Sequence, residues 1–470
     1  MTINKSLLIT IFLLTISIYS YPQTECDCTD LLNQVVNKIE TEYPGFSDKT
    51  NDSYAYNNFS NALKDSAKTA TGLNCKYLLQ KYCSYFRDGH LALNMKIEID
   101  KSKDKSLIEV IDYDISKFKK YLSKKPSDIE GIWKTDGYTV GIKKQNDEYI
   151  GFVIDSENKS WKEREIKFKL LIDNKAIYFK GNHSQVDEIF QVYKNCAIYF
   201  EGIGVSFVKE FPEPIVPKDS ISEYLNKIEG FYVNPLSKKT SLLRIASFDY
   251  SYVDRINELI LSNKSLLSSS ENLIIDLRGN GGGTDYAYKC LLPFLYTNPV
   301  RYLSGEYFVS QTLIDGLENW ANNADTIKYA NEIINVRKDI GRMKLNPGKF
   351  IPYSEDDQYG FSQQDTIYTY PRNVVILADK RCGSSTEKFM LDAKQSKKVK
   401  IFGTPSYGAI DYVSVREFKL DCPEYSLYMP TVRMMRLPDY PIDNIGIQPD
   451  IYLDKFIGDW VQYAKDYLEK

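Results

Sequence analysis

The sequence predicts an α/β protein of several domains, and three observations carry the prediction. At 470 residues the chain exceeds what one hydrophobic core organises, so two or three domains are expected. Residues 218–470 alternate strand and helix patterns, with continuous apolar runs at Leu273-Ile274-Ile275 and Val374-Val375-Ile376-Leu377 that suit strands covered on both faces. Each run leads into a glycine-containing turn and then a helical pattern, which is the signature of repeated β-turn-α units.

The elements ahead of this region follow in order. Lys5 precedes an apolar run over residues 7–18, so residues 1–20 read as a signal peptide and the protein is expected to be exported, to the periplasm or the extracellular space. The run is too short to span a bilayer, and no later segment is long and apolar enough to do so. Residues 21–127 read as mainly helical. Leu31, Leu32, Val35, Val36 and Ile39 recur at helical spacing, as do Leu78, Leu79, Tyr82 and Phe86, before Asp88-Gly89 stops the pattern. His90 then opens an alternating, strand-like run. Residues 128–212 are short alternating segments between polar turns, which predicts a small antiparallel barrel or sandwich. Pro212, Pro214 and Pro217 make a linker to the α/β part, residues 213–470.

Charge and cysteine usage narrow the chemistry. A formal net charge of -3 gives no electrostatic reason to expect nucleic acid as a partner. Eight cysteines suit an oxidising compartment, and bridges from Cys26 and Cys28 to Cys75 and Cys83 are expected. With two histidines, His90 and His183, and no Cys-x-x-Cys pair, no metal site is expected. His183 falls on a polar turn and reads as solvated.

Two strand ends stand out, because functional groups of α/β proteins gather where buried strands give way to helices. The first is Asp276-Leu277-Arg278-Gly279-Asn280-Gly281-Gly282-Gly283, whose consecutive glycines let backbone N–H groups approach a ligand. Its spacing fits neither a P-loop nor a dinucleotide fingerprint. The second is Gly383-Ser384-Ser385-Thr386-Glu387. A serine at a strand-to-helix turn suits a nucleophile facing the positive end of its own helix. The same Ser-x-x-Glu is also a capping box, so the residues alone leave both roles open.

Together the two junctions resemble the tail-specific, or C-terminal-processing, serine peptidases, a family that includes the tricorn protease and the interphotoreceptor retinoid-binding proteins. Ile401-Phe402-Gly403-Thr404-Pro405-Ser406-Tyr407-Gly408 and Gly446-Ile447-Gln448-Pro449-Asp450 match further motifs in order, over about the last 250 residues. The resemblance implies a crotonase-like (ClpP-like) ββα superhelix for the core, with Ser384 as nucleophile.

The family uses two designs. In one, a lysine base stands 25 positions after the serine; here that position is Ala409. Lys388, one helical turn beyond Ser384, fits neither design and reads as a surface lysine. In the tricorn-like design the base is a histidine from the N-terminal part, and Asp88-Gly89-His90 is similar to that motif. The orienting acid, commonly glutamate, falls at Asp443. The resemblance thus implies a Ser384-His90-Asp443 triad, an oxyanion hole from the Gly282 and Ser385 N–H groups, an acyl-enzyme, peptide or protein substrates and no cofactor. The competing expectation is a catalytically weak binding protein of the same fold holding a hydrophobic, glycan or peptide ligand. No PDZ-like arrangement is expected in residues 131–211.

Overall fold

The computed structural model describes residues 26–95, 109–123 and 129–470. The expected signal peptide falls outside the described residues. A six-stranded sheet forms the centre of the C-terminal half, in the order Phe231–Pro235, Thr240–Ile245, Asn272–Asp276, Asn373–Ala378, Val399–Gly403 and Ile451–Tyr452. The first pair is antiparallel and the rest are parallel. Leu273, Ile274 and Ile275 are all buried, because both faces are covered. Leu273 and Ile275 join Val374, Ile376 and Phe389 on one face, while Ile274, Val375 and Phe402 pack with Ala464 of the Trp460–Glu469 helix on the other. Asp276 pairs in register with Leu377, so the two chemically marked strands end side by side.

A second sheet carries the N-terminal part to this core. Its strands are Ala92–Met95, Tyr425–Met434, Gly305–Phe308 and Phe350–Pro352, with Tyr412–Lys419 also pairing to Tyr425–Met434. The helices Cys28–Glu42, Ser53–Ala67 and Gly72–Tyr85 bury Leu32, Val35, Ile39, Leu79 and Tyr82 in one cluster with Tyr412, Phe418, Tyr425 and Leu427 of that sheet. The antiparallel pairing Ala92↔Tyr428 fixes the strand that follows His90.

Cys28 is bonded to Cys75, within the N-terminal helices. Cys26, however, is bonded to Cys422, 396 residues away, and Cys83 is a buried free thiol, which corrects the expected Cys26/Cys28–Cys75/Cys83 set. Close spacing in sequence carries no information about which distant strand end a helix start meets.

Between these parts, eight antiparallel strands from Gly131–Thr135 to Val205–Phe211 close into a barrel around Trp133, Val140, Ile142, Phe168, Phe200 and Phe207. Lys167 is buried beside it, its Nζ donating to Phe179 O at 2.8 Å and lying 4.0 Å and 4.1 Å from the Tyr138 and Trp161 ring centres. Burial lowers its pKa to about 7. His183 is not solvated as expected. Its ring stacks on Trp161 at 3.8 Å between centroids, and Nε2 lies 3.0 Å from Glu165 Oε2. Among the described residues no helix is long and apolar enough to cross a membrane.

Candidate active site

Ser384 follows the Asn373–Ala378 strand by a short turn and caps the Ser385–Ala393 helix at φ 55°, ψ -124°. A non-glycine residue there costs about 1–3 kcal/mol and persists only where its surroundings enforce it. The enforcing group is Glu387, whose side chain is fully buried. Its Oε2 accepts from the Ser384 N–H at 3.1 Å, as in a capping box, and from the Ala409 N–H at 2.9 Å. Its Oε1 accepts from Ser406 Oγ at 2.5 Å and the Gly408 N–H at 2.7 Å. One carboxylate therefore joins the serine turn to the 406–409 loop.

The glycine turn lies against this serine. A Cβ added at Gly282, where φ is 100°, would stand 2.6 Å from Gly383 O, 2.8 Å from Ser384 Cβ and 2.9 Å from Ser385 N. Asn280 locks the contact: its Oδ1 accepts from the Phe248 N–H, the Gly282 N–H (3.0 Å) and Thr386 Oγ1 (2.8 Å). The Gly282 amide, expected as an oxyanion donor, is thus engaged by Asn280. What Gly282 contributes instead is an absent side chain, which lets the two turns touch. The Ser385 N–H is the first amide of its helix and has no acceptor within it.

His90 sits on the turn ahead of the Ala92–Met95 strand. Its backbone N–H donates to Asp88 Oδ1 at 2.8 Å, and its Nδ1 lies 2.7 Å from Tyr412 O. A carbonyl only accepts, so Nδ1 carries the proton and Nε2 is the basic nitrogen. Asp88 is buried and also accepts from the Tyr43 hydroxyl at 2.7 Å. Burial, and then the nearby Asp443 charge, push its carboxyl up to about 6.

Asp443 does not hydrogen-bond the imidazole. Its Oδ1 accepts from the Ile410 and Asp411 N–H groups at 3.0 Å and 2.9 Å, and its Oδ2 lies 3.3 Å from Lys49 Nζ. With Asp443 committed to backbone amides, the group that meets His90 Nδ1 is the Tyr412 carbonyl. The two amides that Asp443 holds lie two residues and one residue ahead of Tyr412. Asp411 returns the bond, accepting from the Asp443 N–H at 3.0 Å and from Arg436 Nη1 at 2.6 Å. Asn444 Nδ2 donates to Arg87 O at 2.5 Å, tying this segment to the histidine turn.

The serine and histidine turns meet around the 407–409 loop. A Cβ at Gly89 would stand 2.5 Å from Tyr407 Cε1 and 3.0 Å from Ala409 Cβ, and one at Gly383 would stand 3.5 Å from Tyr407 Cβ. The turn that carries His90 therefore packs against Ala409, the position where the lysine design places its base. Neither Ser384 nor Asp443 hydrogen-bonds His90 among the described residues. Lys388 is not a free surface lysine: its Nζ is 2.5 Å from Asp392 Oδ2. Sequence reasoning missed Asn280, Asp88, Lys49, Asp411, Arg436 and the Tyr412 carbonyl. Only Asn280, inside the glycine motif, and Asp88, inside the Asp88-Gly89-His90 motif, carried a signal that points to them.

The buried parallel sheet thus sets the Ser384 turn at one strand end beside the glycine turn at its neighbour. Residues 239–453 match Peptidase family S41, so this part of the chain carries an S41 peptidase domain. No curated protein matches the chain. Among solved structures, mature CPAF complexed with lactacystin is 14% identical, covering 94% of this chain and 97% of that one at a TM-score of 0.49. A putative S41 protease from Bacteroides fragilis NCTC 9343 is 11% identical, over 93% of this chain and 91% of that one, at 0.37. The tricorn protease is 12% identical, over 94% of this chain and 36% of that one, at 0.41.

Proposed function

We propose that this protein is an exported serine endopeptidase acting on peptide or protein substrates through Ser384 and His90, in the manner of the tricorn-like branch and with a crotonase-like core. The observation that carries the reading is Ser384 itself, held at φ 55° on a helix N-terminus by a buried carboxylate, against a glycine turn. In this mechanism His90 Nε2 takes the Ser384 proton as Oγ attacks the scissile carbonyl. The tetrahedral oxyanion meets the Ser385 N–H and the positive end of the helix. His90 then protonates the leaving amine, and water releases the acyl-enzyme. Asp443 acts at one remove, as the residue that positions the Tyr412 carbonyl behind the imidazole. No cofactor enters. Two disulfides support an oxidising destination, consistent with the N-terminal apolar segment.

A fluorophosphonate probe tests this directly. Wild-type protein takes the label, Ser384→Ala takes none, and His90→Ala is labelled at least about 100-fold more slowly, the scale of a lost general base. Label that persists in Ser384→Ala and disappears in Ser385→Ala would move the nucleophile. A folded wild type that takes no label would end the peptidase reading in favour of a binding protein.

A further inference from the structure

The outer face of the Ser385–Ala393 helix is flanked by two cavities of about 460 and 570 Å³. Both are lined by Tyr302, Lys388 and Asp392, so they form one cleft with the Lys388–Asp392 ion pair as its saddle. The first is walled by Leu292, Leu295, Val300 and Phe361, and the second by Leu303, Leu391, Met434 and Met435. Lys388 and Asp392 follow Ser384 at successive steps of four, which places them on the helix face that begins at the nucleophile. At about 1.5 Å per residue, the saddle lies ~6–12 Å along the helix from Ser384. An extended peptide covers that span in about two to four residues, at ~3.3 Å each. Side chains two apart on an extended strand point the same way, which suits two pockets side by side.

We infer that this cleft is a substrate subsite that receives bulky apolar side chains of an extended peptide, about two to four residues from the scissile bond. The inference rests on the serine peptidase reading. The helix that presents Ser384 is then also the floor of the specificity site. The ion pair offsets its own charge at the saddle, and the apolar side chains of the walls select by size. Both cavities lie in the range of volumes that hold small organic ligands, roughly 300–1,000 Å³. Met434 and Met435 give the second pocket adaptable walls.

The test is cleavage profiling of the full chain with a peptide library, compared with Val300→Trp, which fills the first pocket, and Phe361→Ala, which opens its exposed rim. Folding of each variant is checked by its thermal transition, and the exposure of Phe361 makes its truncation the safe second variant. Wild type should select a bulky apolar residue at one position two to four from the cut. Val300→Trp should shift that position to smaller residues and lower kcat/KM for the bulky ones ~10–100-fold, mainly through KM. Phe361→Ala should weaken selection at the same position. Labelled, active protein whose preferences are unchanged in both variants overturns the subsite alone. Wild type that takes no fluorophosphonate label overturns the peptidase reading and the subsite with it.

Discussion

Glu387→Gln is the sharpest perturbation of the serine turn, because it keeps the shape and removes the charge. The carboxylate accepts four hydrogen bonds, from Ser384 N, Ala409 N, Ser406 Oγ and Gly408 N. An amide offers one oxygen and one NH2 group. With its oxygen kept on Ser384 and Ala409, the NH2 can donate to Ser406 Oγ but faces the Gly408 N–H, which is left buried without an acceptor. Turned the other way, both the Ser384 and Ala409 amides lose their partner. The first orientation costs less: one unsatisfied buried amide, about 1–3 kcal/mol, plus the weakening of the remaining bonds as the charge disappears. We expect about 3 kcal/mol in total. For a unit of this size that lowers its thermal transition by roughly 6–12 °C, at about 2–4 °C per kcal/mol. The turn at φ 55° then relaxes, and displacement of a reacting atom by an ångström costs about 100-fold in rate. Circular dichroism melting and the second-order rate of fluorophosphonate labelling measure the two effects separately. A variant that melts early yet labels within threefold of wild type would show that Glu387 supports the fold without setting the nucleophile, and would refute the reasoning.

Two further outcomes follow from the same geometry. Gly282→Ala places its Cβ within 3.0 Å of Gly383 O, Ser384 Cβ and Ser385 N, none of them the end of a flexible side chain, so labelling should fall at least about 100-fold while the barrel and N-terminal helices keep their transition; wild-type labelling by this variant would mean the two turns do not touch. Asp88, whose folded pKa is raised, binds its proton more tightly in the folded state, so its contribution is most favourable at low pH and is lost as pH rises from about 4 through about 6. Urea unfolding should therefore find Asp88→Asn gaining on wild type by on the order of 2 kcal/mol between pH 4.5 and 7, and a difference that does not change with pH would exclude a raised Asp88.

The parts legible in the sequence are those where backbone geometry restricts residue choice. Three glycines after a doubly buried strand and a Ser-x-x-Glu after another are local, and they led to the family that residues 239–453 match. The strands themselves were readable because both faces are covered, which removes polar alternation from Leu273–Ile275 and Val374–Leu377. The orienting group of His90 was not legible, since any residue at position 412 supplies a carbonyl. Asp443 was placed by motif alignment beside the imidazole, yet its oxygens are spent on the Ile410 and Asp411 amides. The Gly282 amide, expected to face an oxyanion, donates to its neighbour Asn280, a partner the glycine pattern does not reveal. Each of these is a contest among nearby donors and acceptors that pattern does not rank. The partner of Cys26 depended on packing between segments almost a chain length apart.

The packing of the His90 turn against Ala409 sets a timetable for the newly made chain. His90 is translated early, whereas Ser384, Ala409 and the Asp443 segment arrive hundreds of residues later. At ribosomal speeds of roughly 5–20 residues per second, about 20–70 s separate the synthesis of position 90 from that of position 443. For most of that interval the strand Tyr425–Met434 that aligns Ala92–Met95, and Cys422, the anchor for Cys26, have not been made. No fragment lacking the last fifth of the protein holds all the parts of the site. The site is therefore assembled only once nearly the whole chain has been made.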